Sequence, residues 1–246
     1  MPKNFKLTIE YDGSRFCGWQ RQKNDRTVQG VIEAAIATMT GQTVTLMGSG
    51  RTDAGVHALG QVANFLCETE LTAPIFERGL NSLLPEDVVI RSCLQVNESF
   101  HARFNVKSKI YQYRILNRDI PVAVGRQYGW FIRRKLDLET MGAAAGYIVG
   151  THDFKAFEGT GSPRSSTIRQ VIRAEWQEPE PDHLIFRIEA DGFLRYMVRN
   201  LVGTLVQVGQ GHITPEDFRQ ILLSADRNQA GATAPPHGLF LMEVKY

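Results

Sequence analysis

FKLTIEYDG, Phe5 to Gly13, places Phe5, Leu7, Ile9 and Tyr11 on one face of an extended chain and Lys6, Thr8 and Glu10 on the other. That period of two predicts a half-buried strand closed by the Asp12-Gly13 turn. The period then changes. In TVQGVIEAAIATMTG, Thr27 to Gly41, the residues Val28, Val31, Ile32, Ala35, Ile36 and Met39 share one helical stripe, with Thr27 as N-cap and Gly41 as stop. Thr43 to Met47 and Gln61 to Leu66 read as strands on either side of a glycine-rich loop, Pro74 to Leu84 as a helix and Val88 to Val96 as a strand. A strand followed by a helix and then by further strands predicts a mixed α+β domain.

After the polar stretch QVNESFHARFN the organisation begins again. Lys109 to Leu116 reads as a strand, and Leu138, Met141, Ala145 and Ile148 form a helical stripe. Strands are expected at Ile168 to Trp176 and Leu184 to Ala190, a buried helix at Tyr196 to Val208, and a shorter helix opened by Thr214-Pro215-Glu216-Asp217. LFLMEVKY closes the chain as a strand. The expected organisation is an α+β protein of two domains, 1–104 and 105–246, each a mainly antiparallel sheet with flanking helices. The shared order of elements suggests an old duplication of architecture.

Composition narrows the function classes. With 43% hydrophobic and 22% charged residues the chain has an ordinary soluble balance, and no apolar run approaches the roughly 20 residues that span a bilayer. The N-terminus enters a strand without a signal-peptide pattern, so the cytoplasm is the expected compartment and no membrane partner is expected. Cys17, Cys67 and Cys93 are widely spaced and odd in number, which predicts buried free thiols. A net charge of +2 is weak, so nucleic-acid binding has to come from local arginine clusters, such as Arg126, Arg133 and Arg134 or Arg164, Arg169 and Arg173.

The most unusual stretch is GSGRTDAGVHALGQVANF, Gly48 to Phe65, in which Gly48, Gly50 and Gly55 punctuate a backbone-exposed loop bearing Arg51, Thr52, Asp53 and His57. A GxGxxG dinucleotide loop needs glycine where Asp53 stands, a P-loop needs a lysine that is absent, and HExxH or paired cysteines for zinc are lacking. On the residues alone, Asp53 is either a functional carboxylate or an ordinary loop aspartate bonded to nearby backbone N–H groups.

GSGRTDAGVH resembles the signature loop of the TruA tRNA pseudouridine synthases. Further blocks look like that family's in the same order: FCGWQRQ, TVQGVIEAA, SFHARFNVKSKIYQYRI, DGFLRYMVRNLVGTLVQVG and APPHGLFLMEV. The resemblance spans the chain and implies the pseudouridine synthase fold. It also implies isomerisation of uridine to pseudouridine at positions 38 to 40 of the tRNA anticodon stem-loop, without cofactor or metal. By resemblance Asp53 is the catalytic carboxylate, a nucleophile at C1′ or C6 or a base at C2′, and Arg199 is its ion-pair partner. Tyr111 resembles the tyrosine that stacks on the target uracil; the alternative, a cross-strand core aromatic, is the better description of Tyr113 only if the two side chains point oppositely. Arg51 looks like the arginine that helps extrude the nucleotide, and Leu239 resembles the apolar residue on the far face of the base. His57 and His101 are left outside the catalytic set. The resemblance further implies a homodimer holding one tRNA across both subunits.

Overall fold

The structure, a computed structural model, describes residues 2–159, 161 and 166–246, so Arg164 lies outside the described residues. Two compact units divide the chain: Met1–Lys107 with Phe240–Tyr246, and Ser108–Leu239. In the first unit run β1 (Lys3–Tyr11), α1 (Val28–Thr40), β2 (Met47–Gly48), β3 (His57–Cys67), α2 (Ala73–Leu83) and β4 (Val88–Val96). In the second run β5 (Ser108–Asn117), β6 (Trp130–Ile132), α3 (Leu138–Gly146), β7 (Gly150–Asp153), β8 (Ile168–Glu180), β9 (His183–Ala190), α4 (Met197–Gly209) and α5 (Pro215–Ser224). The closing strand is β10 (Leu239–Lys245), which belongs to the first unit from Phe240 onward.

The architecture is α+β with mainly antiparallel pairing, as the sequence predicts. In the first unit β1 lies between β3 and β4, antiparallel to both, with Leu7 opposite Ala63 and Cys93. The parallel exception is β10, where Phe240 and Leu241 align with His57 and Ala58. The predicted core face holds: Phe5, Leu7 and Ile9 are fully buried, as are Val28, Ile32 and Ile36 of α1. The Phe5, Phe65 and Phe76 rings meet with centroids 4.7 to 5.4 Å apart, so truncating any one to alanine is expected to cost about 3–5 kcal/mol. The caps of α1 are as read, with Thr27 accepting from Gly30 N at 3.3 Å and Gly41 left-handed at φ 70.

In the second unit β9 lies between β5 and β8, antiparallel to both, and β7 extends the sheet beyond β8. Strand β6 runs parallel to β5. Helix α4 carries the buried face formed by Met197, Leu201, Val202 and Leu205. It begins one residue later than expected because Tyr196, at φ 61, is left-handed and serves as the N-cap. Thr214 and Asp217 form a reciprocal capping box at the start of α5.

Three expectations are corrected. Of the expected strand Thr43 to Met47 only Met47 joins a ladder, together with Gly48 beyond it. Just before them the side chains of α1 replace a neighbouring strand: Leu46 N donates to Glu33 Oε1 at 2.9 Å, and Gln29 Nε2 donates to Leu46 O at 3.2 Å. Strand β3 starts at His57 rather than Gln61. Cys17 is exposed, whereas Cys67 and Cys93 are buried as expected. The short strands β6 and β7 had no readable period of their own.

Candidate active site

The loop bearing Asp53 is short and its backbone is tied at several points. Ser49 N donates to Val62 O at 2.8 Å, Trp19 N to Thr52 O at 3.1 Å, Gly55 N to Phe16 O at 3.3 Å and Val56 N to Asp53 O at 3.2 Å. Within it Arg51 is exposed, Thr52 buried and Asp53 half-buried. The segment Phe16–Trp19 runs directly against this backbone because position 18 is glycine. Gly18 has φ +87, and a Cβ there would lie 2.7 Å from Thr52 O and 3.2 Å from the carbonyl carbon of Asp53.

Side chains complete the seat. The Tyr11 hydroxyl is 2.7 Å from Thr52 Oγ1, a buried pair, and burial pushes the Tyr11 phenol up to about 12 against the opposing hydrogen bonds of Thr52 and Gln61. Gln61 Nε2 donates to Gly50 O at 3.0 Å while Ser49 Oγ donates to Gln61 Oε1 at 2.7 Å. His57, 1% exposed, is built into the core. Its Nδ1 accepts from Gly13 N at 3.1 Å and its ring stacks on Phe240 at 4.6 Å. Asp12 Oδ1 also lies 3.1 Å from that Nδ1. A ring nitrogen that accepts the Gly13 proton has none to give to Asp12, so the two contacts belong to different protonation states of that nitrogen.

The second unit gathers Arg199 and Leu239 around one segment, Ala234–Leu239. Arg199 Nε donates to Ala234 O at 2.8 Å, and Ala234 N donates back to Arg199 O at 3.1 Å. The Arg199 guanidinium also lies 5.0 Å from the Tyr196 ring centroid, so it is not the solvated helix-surface arginine that an apolar helix would suggest. Tyr113 donates to Pro235 O at 2.8 Å and its ring packs against Gly238. His237 is held below its ordinary pKa, first by burial and then by the Arg199 charge, against a backbone hydrogen bond with Gly129. Leu239 is 5% exposed.

Tyr111 and Tyr113 do not point oppositely. Residues two apart on a strand share a face, and these pair with Ile188 and Phe186 of β9, both fully buried. Their partners separate them: Tyr113 is the fully buried, hydrogen-bonded core residue, and Tyr111 meets Phe193 edge-on at 4.9 Å. Arg51 and Asp53 thus stand in the first unit, and Tyr111, Arg199 and Leu239 in the second. The arginine clusters are exposed at Arg126, Arg133, Arg134 and Arg173, with Arg173 paired to Glu175 at 2.6 Å. Sequence reasoning missed Tyr11, Gly18 and Gln61 as supports of the loop. Only Gly18 carried a signal, a glycine beside Trp19 in a segment without periodicity. Among the described residues no three His, Cys, Asp or Glu side chains cluster to hold a metal ion, and no described helix is long and apolar enough to cross a membrane.

Asp53 thus stands half-buried on a braced loop of the first unit, and Arg199 stands half-buried beside Tyr196 in the second. The family model described as tRNA pseudouridine synthase matches residues 7–105 and 144–246. A protein of Thermoanaerobacter sp. (strain X514) named tRNA pseudouridine synthase A is 48% identical over 99% of this chain and 100% of its own length. The protein of that name from Acetivibrio thermocellus is 47% identical over the same shares. Among solved structures, a chain of a Cbf5-Nop10-Gar1 complex aligns at 14% identity and a TM-score of 0.36, over 96% of this chain and 57% of its own, too slight a likeness to bear on function. The chain belongs to the tRNA pseudouridine synthase family and is an enzyme of the isomerase class.

Proposed function

We propose that the enzyme isomerises uridine to pseudouridine at positions 38 to 40 of the tRNA anticodon stem-loop, with Asp53 as its catalytic carboxylate. The reaction conserves every atom. The N1–C1′ bond breaks, the uracil turns, C5 bonds to C1′, and the proton lost from C5 is balanced by one gained at N1. No oxidant or water is consumed, so a single positioned carboxylate is sufficient to start it, as a nucleophile at C1′ or C6 or as a base at C2′.

The observation that carries the assignment of Asp53 is the bracing of its loop. Thr52 is held through its carbonyl by Trp19 N and through its hydroxyl by Tyr11, which gives the next residue the fixed geometry that catalysis requires. Arg199 is the proposed ion-pair partner, since a guanidinium close to a carboxylate keeps it ionised and oriented. Tyr111 is proposed to stack on the target uracil, Arg51 to help extrude the nucleotide, and Leu239 to pack on the far face of the base. Extrusion is necessary because C1′ and C6 are out of reach in a stacked stem. A cytoplasmic homodimer completes the reading, two copies of each exposed arginine cluster facing one RNA, which offsets a net charge of only +2 per chain.

The test of the substrate is to incubate unmodified tRNA with the enzyme and map pseudouridine by carbodiimide adducts and primer extension. Stops at positions 38 to 40 support the reading. Stops elsewhere reassign the target, and none at all ends it.

A further inference from the structure

Phe104 is 74% exposed, yet the segment that presents it is tied down along its length. At its foot the amides of Asn4 and Asn64, 1% and 0% exposed, are buried. Asn4 Nδ2 donates to Asn97 O at 3.0 Å and to Phe100 O at 2.9 Å. Asn64 Nδ2 donates to Asn4 Oδ1 at 2.9 Å, and Asn64 Oδ1 accepts from Ala102 N at 2.8 Å. The Tyr246 hydroxyl donates to Ala102 O at 2.7 Å. At the tip His101 N donates to Asn105 Oδ1 at 2.7 Å, Asn105 N to His101 O at 3.1 Å and Arg103 N to His101 Nδ1 at 3.1 Å. Two buried amides are costly unless bonded, and here they are spent on fixing a loop whose most prominent side chain faces solvent.

The chemistry around that ring is cationic and polar. The His101 imidazole lies 4.2 Å from the Phe104 ring centroid at 36°, and the Arg103 guanidinium lies 5.8 Å from it. Asn105 and Lys107 follow, both exposed. A protein-binding patch centres on clustered apolar side chains, whereas an exposed aromatic flanked by guanidinium and ammonium groups is the pattern of a base-stacking site.

We propose that the His101–Arg103–Phe104 tip is a stacking platform for an unpaired nucleotide of the RNA substrate, with Phe104 offering its ring to a base and Arg103 its guanidinium to the neighbouring phosphate. The inference rests on the tRNA-modifying reading above and adds a contact separate from the loop of Asp53. Because the tip is ordered in advance, stacking costs little further conformational entropy.

The test compares the unaltered enzyme with Phe104→Ala, Phe104→Leu, Phe104→Trp and Arg103→Gln, each checked by thermal unfolding, for tRNA affinity, KM and kcat. Phe104→Ala is expected to raise Kd and KM roughly five- to hundredfold, the range of one lost base–aromatic stack, with kcat at saturation unchanged. Phe104→Trp restores binding and Phe104→Leu does not. Arg103→Gln weakens binding and lowers the salt slope by about one phosphate contact. Tight binding by Phe104→Ala, or rescue by leucine equal to that by tryptophan, overturns the platform. So does a shift in oligomeric state of Phe104→Ala with tRNA affinity unchanged, which assigns the tip to a protein interface. An unaltered enzyme that modifies no tRNA fails the functional reading itself, a result distinct from an active enzyme indifferent to Phe104.

Discussion

The Tyr11 hydroxyl lies 2.7 Å from Thr52 Oγ1, so the last residue of the first strand grips the residue immediately before Asp53. Tyr11→Phe removes the bond and leaves the buried Thr52 hydroxyl short of a partner. It is expected to cost about 1–3 kcal/mol in urea unfolding and to lower kcat by loosening the loop. An unchanged kcat at reduced stability would mean that the bond supports the fold without positioning Asp53.

Gly18→Ala is expected to be worse than the conformational strain alone. A Cβ at Gly18 meets Thr52 O at 2.7 Å, whereas at Gly41, also left-handed, it meets nothing within 4 Å. Both substitutions carry the penalty of alanine at positive φ, more than about 0.4–1 kcal/mol. Only Gly18→Ala should also reduce turnover, and equal activities in the two variants would contradict the seat described for the Asp53 loop.

Arg199→Gln loses the Nε bond to Ala234 O at 2.8 Å. If Arg199 also serves Asp53, kcat falls by about a hundredfold, the scale of one lost electrostatic stabiliser, while unfolding changes by only about 1 kcal/mol. Lysine restores little, because it lacks the planar fork of the guanidinium. A variant that is less stable but fully active makes Arg199 a strut for the Ala234–Leu239 segment and nothing more.

The His237 pKa is depressed by burial and by Arg199, so below its ordinary value the unfolded chain binds the proton more readily than the folded one. Stability is then fully present above about pH 6.5 and declines as the pH falls through the folded value. Thermal unfolding at pH 7.5 and 5.5 should show the loss, and His237→Gln should flatten it. An identical slope in the variant assigns the pH dependence elsewhere.

Much of this was legible beforehand where burial imposes a period. The face of Phe5, Leu7 and Ile9, the Thr27 and Gly41 caps and the Thr214 capping box all follow from local rules and stand in the structure. The run before Met47 departs from its expected strand because its hydrogen-bond partners are side chains of α1, a tertiary substitution that no local pattern encodes. Opposite faces for Tyr111 and Tyr113, the condition for telling them apart by direction, are not met, because residues two apart on a strand share a face. At the site, the position of Asp53 on a glycine loop was readable. The grip of Tyr11, Gly18 and Gln61 was not, because each lies far from Asp53 in the chain or bonds to backbone rather than to a residue of complementary type.

Asp53 is the proposed carboxylate of uridine isomerisation in tRNA. Formation of the C5–C1′ bond must release the hydrogen of C5, so the direct measurement is tritium release from tRNA bearing 5-tritiated uridine. It compares the unaltered enzyme with Asp53→Asn purified in parallel and matched for thermal unfolding and tRNA binding. The unaltered enzyme should release tritium, and Asp53→Asn none above background. Equal release by both would contradict the role of Asp53, and release by neither, with tRNA bound, would contradict the reaction on this substrate.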